Sequence, residues 1–198
     1  MKELTLKEIE KLLGYEVKVV AEKPQKQLAD IVAGETFKVG NLEFIVLEHR
    51  NGQTAVLLKG FWKTDIFDNK SNNYTNSKIR KDLNKEFYKE LKSLIGADNI
   101  ILHKVDLISD DGRKDYGAVE DYVSLLTCDT YRKYVDIIDK YRITSNWWWL
   151  TTAYSTESNG YSSNVRCVYR DGTLYDNCCD GYDGVRPFCI FKSSIFVS

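Results

Sequence analysis

The chain has 198 residues, of which 43% are hydrophobic and 29% are charged, and its formal net charge is −1. This length and balance predict one soluble globular domain, or one domain with a small appendage, with enough apolar side chains for a core. The nearly neutral charge gives no electrostatic reason to expect nucleic acid or an anionic membrane as a partner.

The N-terminal segment predicts a short helix followed by a linker. Thr5 and Glu8 have the spacing of a capping box. The residues that follow form an apolar stripe with a glycine that can close the helix: Leu6, Ile9, Leu12, Leu13 and Gly14. A helix this short is not stable alone, so we expect it to dock on the main domain, on another protein or on a second protomer. The charged stretch around Pro24 predicts a linker and divides the chain into residues 1–28 and a main domain of residues 29–198.

Signals for export and for membrane insertion are missing from the sequence. The N-terminus has no apolar h-region and no small-residue cleavage site, so no signal peptide is predicted. No stretch approaches about 18 consecutive apolar residues, so no membrane-spanning helix is expected. The five cysteines are odd in number and lack CxxC spacing, which matches neither a disulfide framework nor a zinc site. We therefore expect synthesis in a reducing cytoplasm, with a place in a virion left open.

From Gly34 onward the sequence predicts strands and then a helix. The opening strands are TFKV, LEFIVLEH and TAVLLKG, with an Asn51-Gly52 hairpin turn between the last two. A helix is expected over SKIRKDLNKEFYKELKSLIG because apolar residues recur every three or four positions: Ile79, Leu83, Phe87, Leu91 and Leu94. NIILHKVDLI and YVSLLT are predicted to be strands.

A second helix and a set of closing strands complete the prediction. Thr127 or Asp129 can cap this helix, and its apolar face is formed by Tyr131, Tyr134, Ile138 and Tyr141. Short strands are expected afterwards at WWLTT, NVRCVY, TLYD and VRPFCIF, with a hairpin turn at Asp171-Gly172. Residues 147–149 are three tryptophans that would alternate sides of a strand, so at least one is expected in the core. The predicted class is α+β, with two helices and short antiparallel sheets in addition to the N-terminal helix.

Catalytic motifs are not evident in the sequence. The two histidines, His49 and His103, are associated with no nucleophile motif. No Walker loop, GxGxxG, HExxH or EF-hand loop is present, so we predict no catalytic residue, no cofactor and no metal ligand. Structural roles are expected for both histidines.

Two features leave other chemistry open. Adjacent Cys178 and Cys179 could form a strained disulfide or bind a soft metal, which gives the alternative of an oxidoreductase or a metal-dependent enzyme. Asp176, Asp180 and Asp183 offer oxygens of the kind that Ca²⁺ prefers, although their spacing matches no known calcium loop.

Several motifs follow the opening hairpin in a set order. The pattern S-x-I-R-x-x-L-N-x-x-F spans Ser77–Phe87, W-W-L spans Trp148–Leu150, V-x-x-D-G spans Val168–Gly172, and V-R-P spans Val185–Pro187. In this order the chain, from about residue 30 to 198, resembles an uncharacterised group of bacterial and prophage-encoded domains with a C-type-lectin-like fold. The start LTLKEIEKLLGYEVKVV is similar to that of many small phage-encoded proteins.

This resemblance implies a fold and related proteins. The fold is shared with the variable proteins of diversity-generating retroelements, in which C-terminal positions are mutagenised to alter binding. It is shared at fold level with formylglycine-generating enzymes, whose cysteines are spaced apart in a cleft. The adjacent pair Cys178-Cys179 does not reproduce that arrangement. A phage or prophage origin is the implied source.

Two segments among the closing strands, AYSTESNGYSSN and YDNCCDGYDG, are predicted to be loops. Tyrosine with serine, glycine, asparagine and aspartate is the composition of an adaptable paratope on a rigid scaffold. The sequence therefore predicts a non-enzymatic ligand-binding protein that recognises a protein or glycan through these loops. The residues predicted to contact the ligand are Tyr154, Asn159, Tyr161, Ser162, Asn164, Arg166, Tyr169, Tyr175, Asn177, Asp180 and Tyr182.

The retroelement relationship leads to a further hypothesis about these loops. AAC codons encode Asn, and replacing their template adenines yields Tyr, Ser, Asp, Gly and Cys. Residues 159–164 and 175–183 are all Asn or one of these five types. The paired cysteines would then be one product of diversification with no chemical task.

Overall fold

The computed structural model describes residues 4–17 and 26–198, so most of the predicted linker, including Pro24, lies outside the described residues. At β1 (Lys26–Gln27) the chain already pairs antiparallel with β14 (Phe196–Val197). Leu28, which follows β1, is fully buried. The folded domain therefore includes the last residues that the sequence assigned to the linker.

Helix α1 (Leu6–Leu13) has the predicted caps. The Thr5 hydroxyl accepts a bond from the Glu8 backbone, and the Glu8 carboxylate accepts one from the Thr5 backbone. Gly14 ends the helix with φ 75°, in the left-handed region that glycine adopts easily. No residue of α1 is buried against other described parts of the chain, and the docking of its leucines stays a prediction.

The first of two five-stranded sheets is built on the predicted opening hairpin. It contains β2 (Thr36–Val39), β3 (Leu42–Arg50), β4 (Gln53–Leu58), β8 (Val123–Ser124) and β13 (Phe188–Lys192). The strand order is β2-β3-β4-β13-β8, and all neighbours are antiparallel. Asn51 and Gly52, between β3 and β4, have φ of 53° and 72°, the positive values that a type I′ turn requires.

The second sheet holds the closing strands. It contains β5 (Lys63–Asp65), β9 (Trp148–Ala153), β10 (Asn164–Val168), β11 (Leu174–Cys178) and β12 (Asp183–Val185). The order is β11-β10-β9-β12-β5, in which the single pairing of β12 with β9 is parallel and the others are antiparallel. The β10–β11 hairpin turns at Asp171-Gly172, as predicted.

A separate two-stranded ribbon and several 3₁₀ turns connect these sheets. The ribbon pairs β6 (His103–Asp106) with β7 (Ala118–Asp121) in antiparallel register. The 3₁₀ turns are Leu28–Asp30, Tyr74–Asn76, Ala97–Asn99, Asp139–Tyr141 and Glu157–Asn159.

The first predicted helix of the main domain forms with a π-helical segment inside it. α2 (Lys78–Asp82), a π-helical turn over Leu83–Phe87 and α3 (Tyr88–Ile95) follow one another without a break. Four of the five predicted core positions are fully buried: Ile79, Leu83, Phe87 and Leu91. The prediction was wrong for Leu94, which is 41% exposed. This leucine lies in the last helical turn, against Gly40 at the rim of the first sheet.

The second predicted helix is α4 (Cys128–Ile138). Thr127 caps it, and its hydroxyl accepts a bond from the Thr130 backbone N–H. Tyr131, Tyr134 and Ile138 are buried as predicted, together with Cys128. The prediction was wrong for Tyr141, which lies beyond α4 in the 3₁₀ turn that follows and is half-buried.

The central strands carry side chains into two separate hydrophobic clusters. Phe44 of β3 faces the cluster that includes α2 and α3, whereas its neighbour Ile45 faces the cluster that includes α4. Trp149 lies in the first of these clusters and is 0% exposed, and Trp148 lies in the second and is 2% exposed. Because neighbouring residues of a strand point to opposite faces, strands buried on both faces have continuous apolar sequences.

The motif on α2 has structural contacts that fix this fold. Arg80 Nη2 lies 2.8 Å from a carboxylate oxygen of Asp121, a residue that is 3% exposed. The Asn84 side chain donates to the Val123 carbonyl at 2.9 Å and so ties the π-helical turn to β8.

The V-R-P and W-W-L motifs meet in the core. Arg186 is fully buried and donates from Nε to the Leu58 carbonyl at 2.7 Å. Its guanidinium lies 5.1 Å from the ring centre of Trp148. Burial lowers the pKa of Arg186 to about 10. The motifs that carry the family resemblance are therefore scaffold contacts and do not by themselves locate a ligand.

Three predicted strands are shorter or divided in the structure. NIILHKVDLI forms a strand only over β6, and YVSLLT forms one only over β8. VRPFCIF is divided because the chain passes from the second sheet to the first at Arg186-Pro187, where proline has no N–H to donate. The α+β class is confirmed. Among the described residues, none of the helices has the length and apolar character needed to cross a membrane.

Candidate ligand-binding surface

The residues predicted to bind a ligand lie on both faces of the β10–β11 hairpin. Arg166 is paired directly with Asp176, and residues paired in this way share a face. Asn164, two positions before Arg166, lies on the same face. Tyr175 and Asn177 alternate to the opposite face. The predicted set therefore does not form one continuous surface.

One group converges on Arg166. Arg166 Nη2 lies 2.5 Å from Asp110 Oδ2, and its Nη1 lies 3.2 Å from Asp176 Oδ1. The guanidinium is 4.9 Å from the ring centre of Tyr154, whose ring is 5.7 Å from that of Tyr161. These five residues and Asn164, which donates to Asp176 at 2.6 Å, form what we name the Arg166 surface.

Charges on the Arg166 surface are paired with one another. Arg132 Nη2 lies 3.0 Å from Asp110 Oδ1, so two arginines share this carboxylate. Burial alone would raise the pKa of Asp110, but the hydrogen bonds from Arg166 and Arg132 outweigh it and lower the pKa. Asp110 therefore stays charged at neutral pH and holds Arg166 in place.

A buried asparagine fixes the loop that carries both tyrosines. Asn72 is fully buried, and its Nδ2 donates to the carbonyls of Ser155, Tyr161 and Asn164 at 2.9, 3.3 and 3.0 Å. Its Oδ1 accepts a bond from the Tyr116 hydroxyl at 2.7 Å. Asn72 thus ties the loop to the segment before α2 at three of its carbonyls.

Two further carboxylates hold the same loop from residues 109–117. Asp111 accepts from the Ser155 hydroxyl at 2.7 Å, and Asp115 accepts from the Thr156 hydroxyl at 2.6 Å. Hydrogen bonds from hydroxyls lower the pKa of both carboxyls, chiefly those from Ser109 to Asp111 and from Ser158 to Asp115. This segment was not predicted to take part in the site, although its run SDDGRKDYG has the composition of a loop.

Asn159 and Ser162 lie on the loop itself. Asn159 is exposed, and its Nδ2 donates to the Ser155 hydroxyl at 3.1 Å. Ser162 is half-buried, and its carbonyl accepts from the Asn72 backbone N–H at 2.7 Å. Asn159 is therefore open to a ligand beside the Arg166 surface, whereas Ser162 also serves to hold the loop.

A cleft of about 460 Å³ adjoins the Arg166 surface at Asp110. One wall is β6 with the loop at residues 108–112, and the other is the chain from Ser124 to Thr130, where α4 begins. Phe188 also lines the cleft. We name this feature the β6 cleft, and it gives the Arg166 surface a concave neighbour in which ligands commonly bind.

Neither histidine has the surroundings of a catalytic base. His103 lies in the β6 cleft with Nε2 3.0 Å from Ser124 Oγ, but Ser124 is only 1% exposed and cannot reach a substrate. Burial lowers the pKa of His103. Both ring nitrogens of His49 are in hydrogen-bond contact, with the Thr54 hydroxyl at 2.8 Å and the Ile31 carbonyl at 2.7 Å. These contacts support the structural roles expected from the sequence.

The second group of predicted residues is aromatic and lies on the other face. The ring of Trp147 is 4.8 Å from Tyr169 and 5.3 Å from Tyr175, edge to face in both cases. Trp147 also packs against the core. Asp180 and Tyr182 are exposed on the turn after β11. In residues 26–198, no hydrogen bond or ring contact joins Trp147, Tyr169 or Tyr175 to the Arg166 surface.

The prediction that YDNCCDGYDG is a loop was wrong for most of its length. Tyr175 and Asn177 belong to β11, and Asp183 begins β12. Cys178 is exposed, but Cys179 is only 4% exposed. The strand pairing of β11 with β10 positions these residues, and a local composition of turn-forming residues does not reveal such pairing.

The thiols do not favour the alternative of a cysteine-dependent enzyme. Both are free. Burial raises the pKa of Cys179 to about 11, and a hydrogen bond to Asp180 is the main cause of the raised pKa of Cys178. A reactive cysteine needs a lowered pKa. Within residues 4–17 and 26–198, no three His, Cys, Asp or Glu side chains are grouped closely enough to hold a metal ion.

Asp183 gives a prediction about pH and stability. It is 3% exposed and accepts a bond from Asn177 Nδ2 at 3.1 Å. Burial raises its pKa, and the Asn177 bond offsets only part of this effect. With a raised folded-state pKa, the contribution of Asp183 to stability is complete below the unfolded pKa of about 3.9. That contribution is lost as the pH rises through the folded value.

We therefore expect Asp183→Asn, which keeps the bond from Asn177, to melt at a higher temperature than the wild type at neutral pH. The difference should shrink as the pH falls and vanish at about pH 3, below the unfolded pKa. Thermal melts across this range, with the exposed Asp98→Asn as control, test the prediction. A gap that does not change with pH would contradict it.

Comparison with known proteins gives one match. Residues 51–193 match the model of the family described as a domain of unknown function, DUF6273. No curated protein and no solved structure is similar enough to this chain to count as a match. The matched residues include α2 to α4, the Arg166 surface and the β6 cleft. Since the match covers more than half of the sequence, the chain belongs to the DUF6273 family.

Proposed function

We propose that this protein is a non-enzymatic ligand-binding protein that recognises a protein or a glycan through the Arg166 surface and the adjoining β6 cleft. The observation that carries the proposal is that residues selected from the sequence lie together in the structure. Four residues selected as ligand contacts from the sequence, Tyr154, Tyr161, Asn164 and Arg166, meet on one surface beside a cleft.

The exposed groups of this surface suit recognition. Tyr154 and Tyr161 are 38% and 51% exposed, and each offers an amphipathic ring with a hydroxyl. The Arg166 guanidinium lies against the face of the Tyr154 ring and is itself held by two carboxylates. A surface that is rigid before binding loses less conformational entropy when the ligand arrives.

A C-type-lectin-like fold and a phage or prophage origin, which the motifs imply, are part of this proposal. Diversification by a retroelement is a further part. Asn159 and Tyr161 are exposed and would accept varied side chains. Gly160 has a φ of 82°, a left-handed value that strains other residues, and Cys179 and Asp183 are buried, so these three positions would not. A nearby reverse transcriptase with a template repeat that differs only at adenines would support diversification. A locus with neither would remove this part and leave the binding proposal in place.

The proposal is tested by a binding screen. Wild-type protein and the double variant Tyr154→Ala/Tyr161→Ala are applied to a glycan array and to an array of extracellular proteins. We expect at least one ligand whose signal falls about tenfold or more in the double variant, because both rings leave the surface. Absence of any ligand for the folded wild type would overturn the proposal.

A further inference from the structure

The outer edge of β6 has backbone groups that its own ribbon does not use. The Leu107 N–H donates to the Gly117 carbonyl at 2.9 Å, which continues the antiparallel register of β6 with β7. Hydrogen-bonded pairs alternate with pairs that are not bonded. His103, Val105 and Leu107 therefore point their backbone groups toward β7, and Lys104 and Asp106 point theirs away from it.

The β6 cleft runs along this outer edge. All four residues of β6 line the cleft, and none of β7 does. Backbone bonds tie the chain to the main sheets on either side of β6, from the Ile101 N–H to Ile190 at 2.8 Å and from the Asp110 N–H to Ala153 at 2.9 Å. Between these ties, no backbone group among the described residues bonds to the outward groups of β6.

The other polar groups of the cleft are already engaged. Lys104 pairs with Asp106 at 2.6 Å, and Arg132 pairs with Asp110 and with Asp129. The Thr127 hydroxyl accepts a hydrogen bond from the Thr130 backbone N–H. No unpaired charge in the described cleft selects an ionic ligand. The hydrogen-bonding groups that stay unused are the outward backbone groups of β6, and such strand edges readily pair with another strand.

We infer that the β6 cleft binds an extended peptide segment, which adds to β6 as a third strand of the β6–β7 ribbon. This inference rests on the proposed function and narrows its ligand class to a protein. A strand advances about 3.3 Å per residue, so the four residues of β6 present an edge for a segment of similar length. Ile108, which is 40% exposed at the cleft, offers an apolar contact for one peptide side chain.

A proline substitution tests the edge directly. Asp106→Pro removes one outward N–H without breaking the bonds to β7, since proline is tolerated where the N–H of an edge strand faces outward. The matched control is Glu120→Pro. Glu120 is opposite Lys104 in the same ribbon, and its N–H points off the other edge, away from the cleft. A second control, Asp106→Ala, loses the carboxylate but keeps the N–H.

The probe is a phage-displayed library of random linear heptapeptides, panned on the wild type, with enriched sequences synthesised for anisotropy titration. We expect enriched peptides to bind Asp106→Pro at least about tenfold more weakly than Asp106→Ala and to bind Glu120→Pro like the wild type. Failure to enrich any peptide, or equal affinity for Asp106→Pro, would overturn the inference.

Amide exchange in the wild type provides a check that needs no variant. The amides of Lys104 and Asp106 should exchange quickly in the free protein and slowly with peptide bound. Unchanged exchange at both positions would overturn the inference. If a ligand from the array screen depends on Tyr154 and Tyr161 but binds Asp106→Pro normally, the proposed function stands and the peptide inference fails.

Discussion

Phe87→Ala is expected to lower the free energy of unfolding by about 3–5 kcal/mol, because it removes a large side chain from the core and leaves a cavity. Phe87 is fully buried in the π-helical turn, and its ring lies 5.4 Å from that of Trp62. Leu83→Ala, at the start of the same turn, should cost about 2–5 kcal/mol for the same reason. Urea unfolding followed by circular dichroism measures both values.

Two exposed tyrosines are the controls for this prediction. Tyr161 and Tyr182 are 51% and 69% exposed, so replacing either with alanine should cost less than about 1 kcal/mol. If all four variants were equally destabilised, the tyrosines would be part of the core, and the description of residues 154–163 as a displayed loop would fail.

Asn72→Ala is expected to cost about 2–4 kcal/mol, since buried polar groups left without partners are each costly. The substitution removes the donor to the carbonyls of Ser155, Tyr161 and Asn164 and the acceptor for the Tyr116 hydroxyl. Urea unfolding gives the cost, and amide exchange should show faster exchange over residues 154–164 than in the wild type.

The matched control is Asn159→Ala. Asn159 is exposed on the same loop, so its loss should change stability by less than about 0.5 kcal/mol and leave exchange elsewhere in the loop unchanged. A stable Asn72→Ala protein with normal exchange would show that Asn72 does not fix the loop.

Periodicity in the sequence predicted most of the scaffold. The i, i+4 spacing of Ile79, Leu83, Phe87 and Leu91 identified the helix because one helical face contacts the core. The Asn51-Gly52 turn was equally clear, since few residue pairs adopt positive φ at both positions. The π-helical turn was not predicted, because no residue pattern in it differs from that of an ordinary helix.

The candidate site was only partly predictable because its contacts join distant parts of the chain. Arg166 and Asp110 are 56 residues apart, and Asn72 lies 83 residues before Ser155. The composition of the closing loops drew attention to Tyr154 and Tyr161, but it said nothing about the carboxylates opposite them. Composition also failed to separate Tyr175, on a strand of the opposite face, from the residues of the Arg166 surface.

The central claim is that ligands bind the Arg166 surface, and its most direct test is the equilibrium Kd of a ligand from the array screen. The comparison is between Tyr161→Ala and Tyr182→Ala, which remove equally large, exposed side chains at different places on the domain. We predict that Tyr161→Ala weakens binding by about tenfold or more, while Tyr182→Ala binds like the wild type. A Kd that rises for Tyr182→Ala and stays unchanged for Tyr161→Ala would contradict the account.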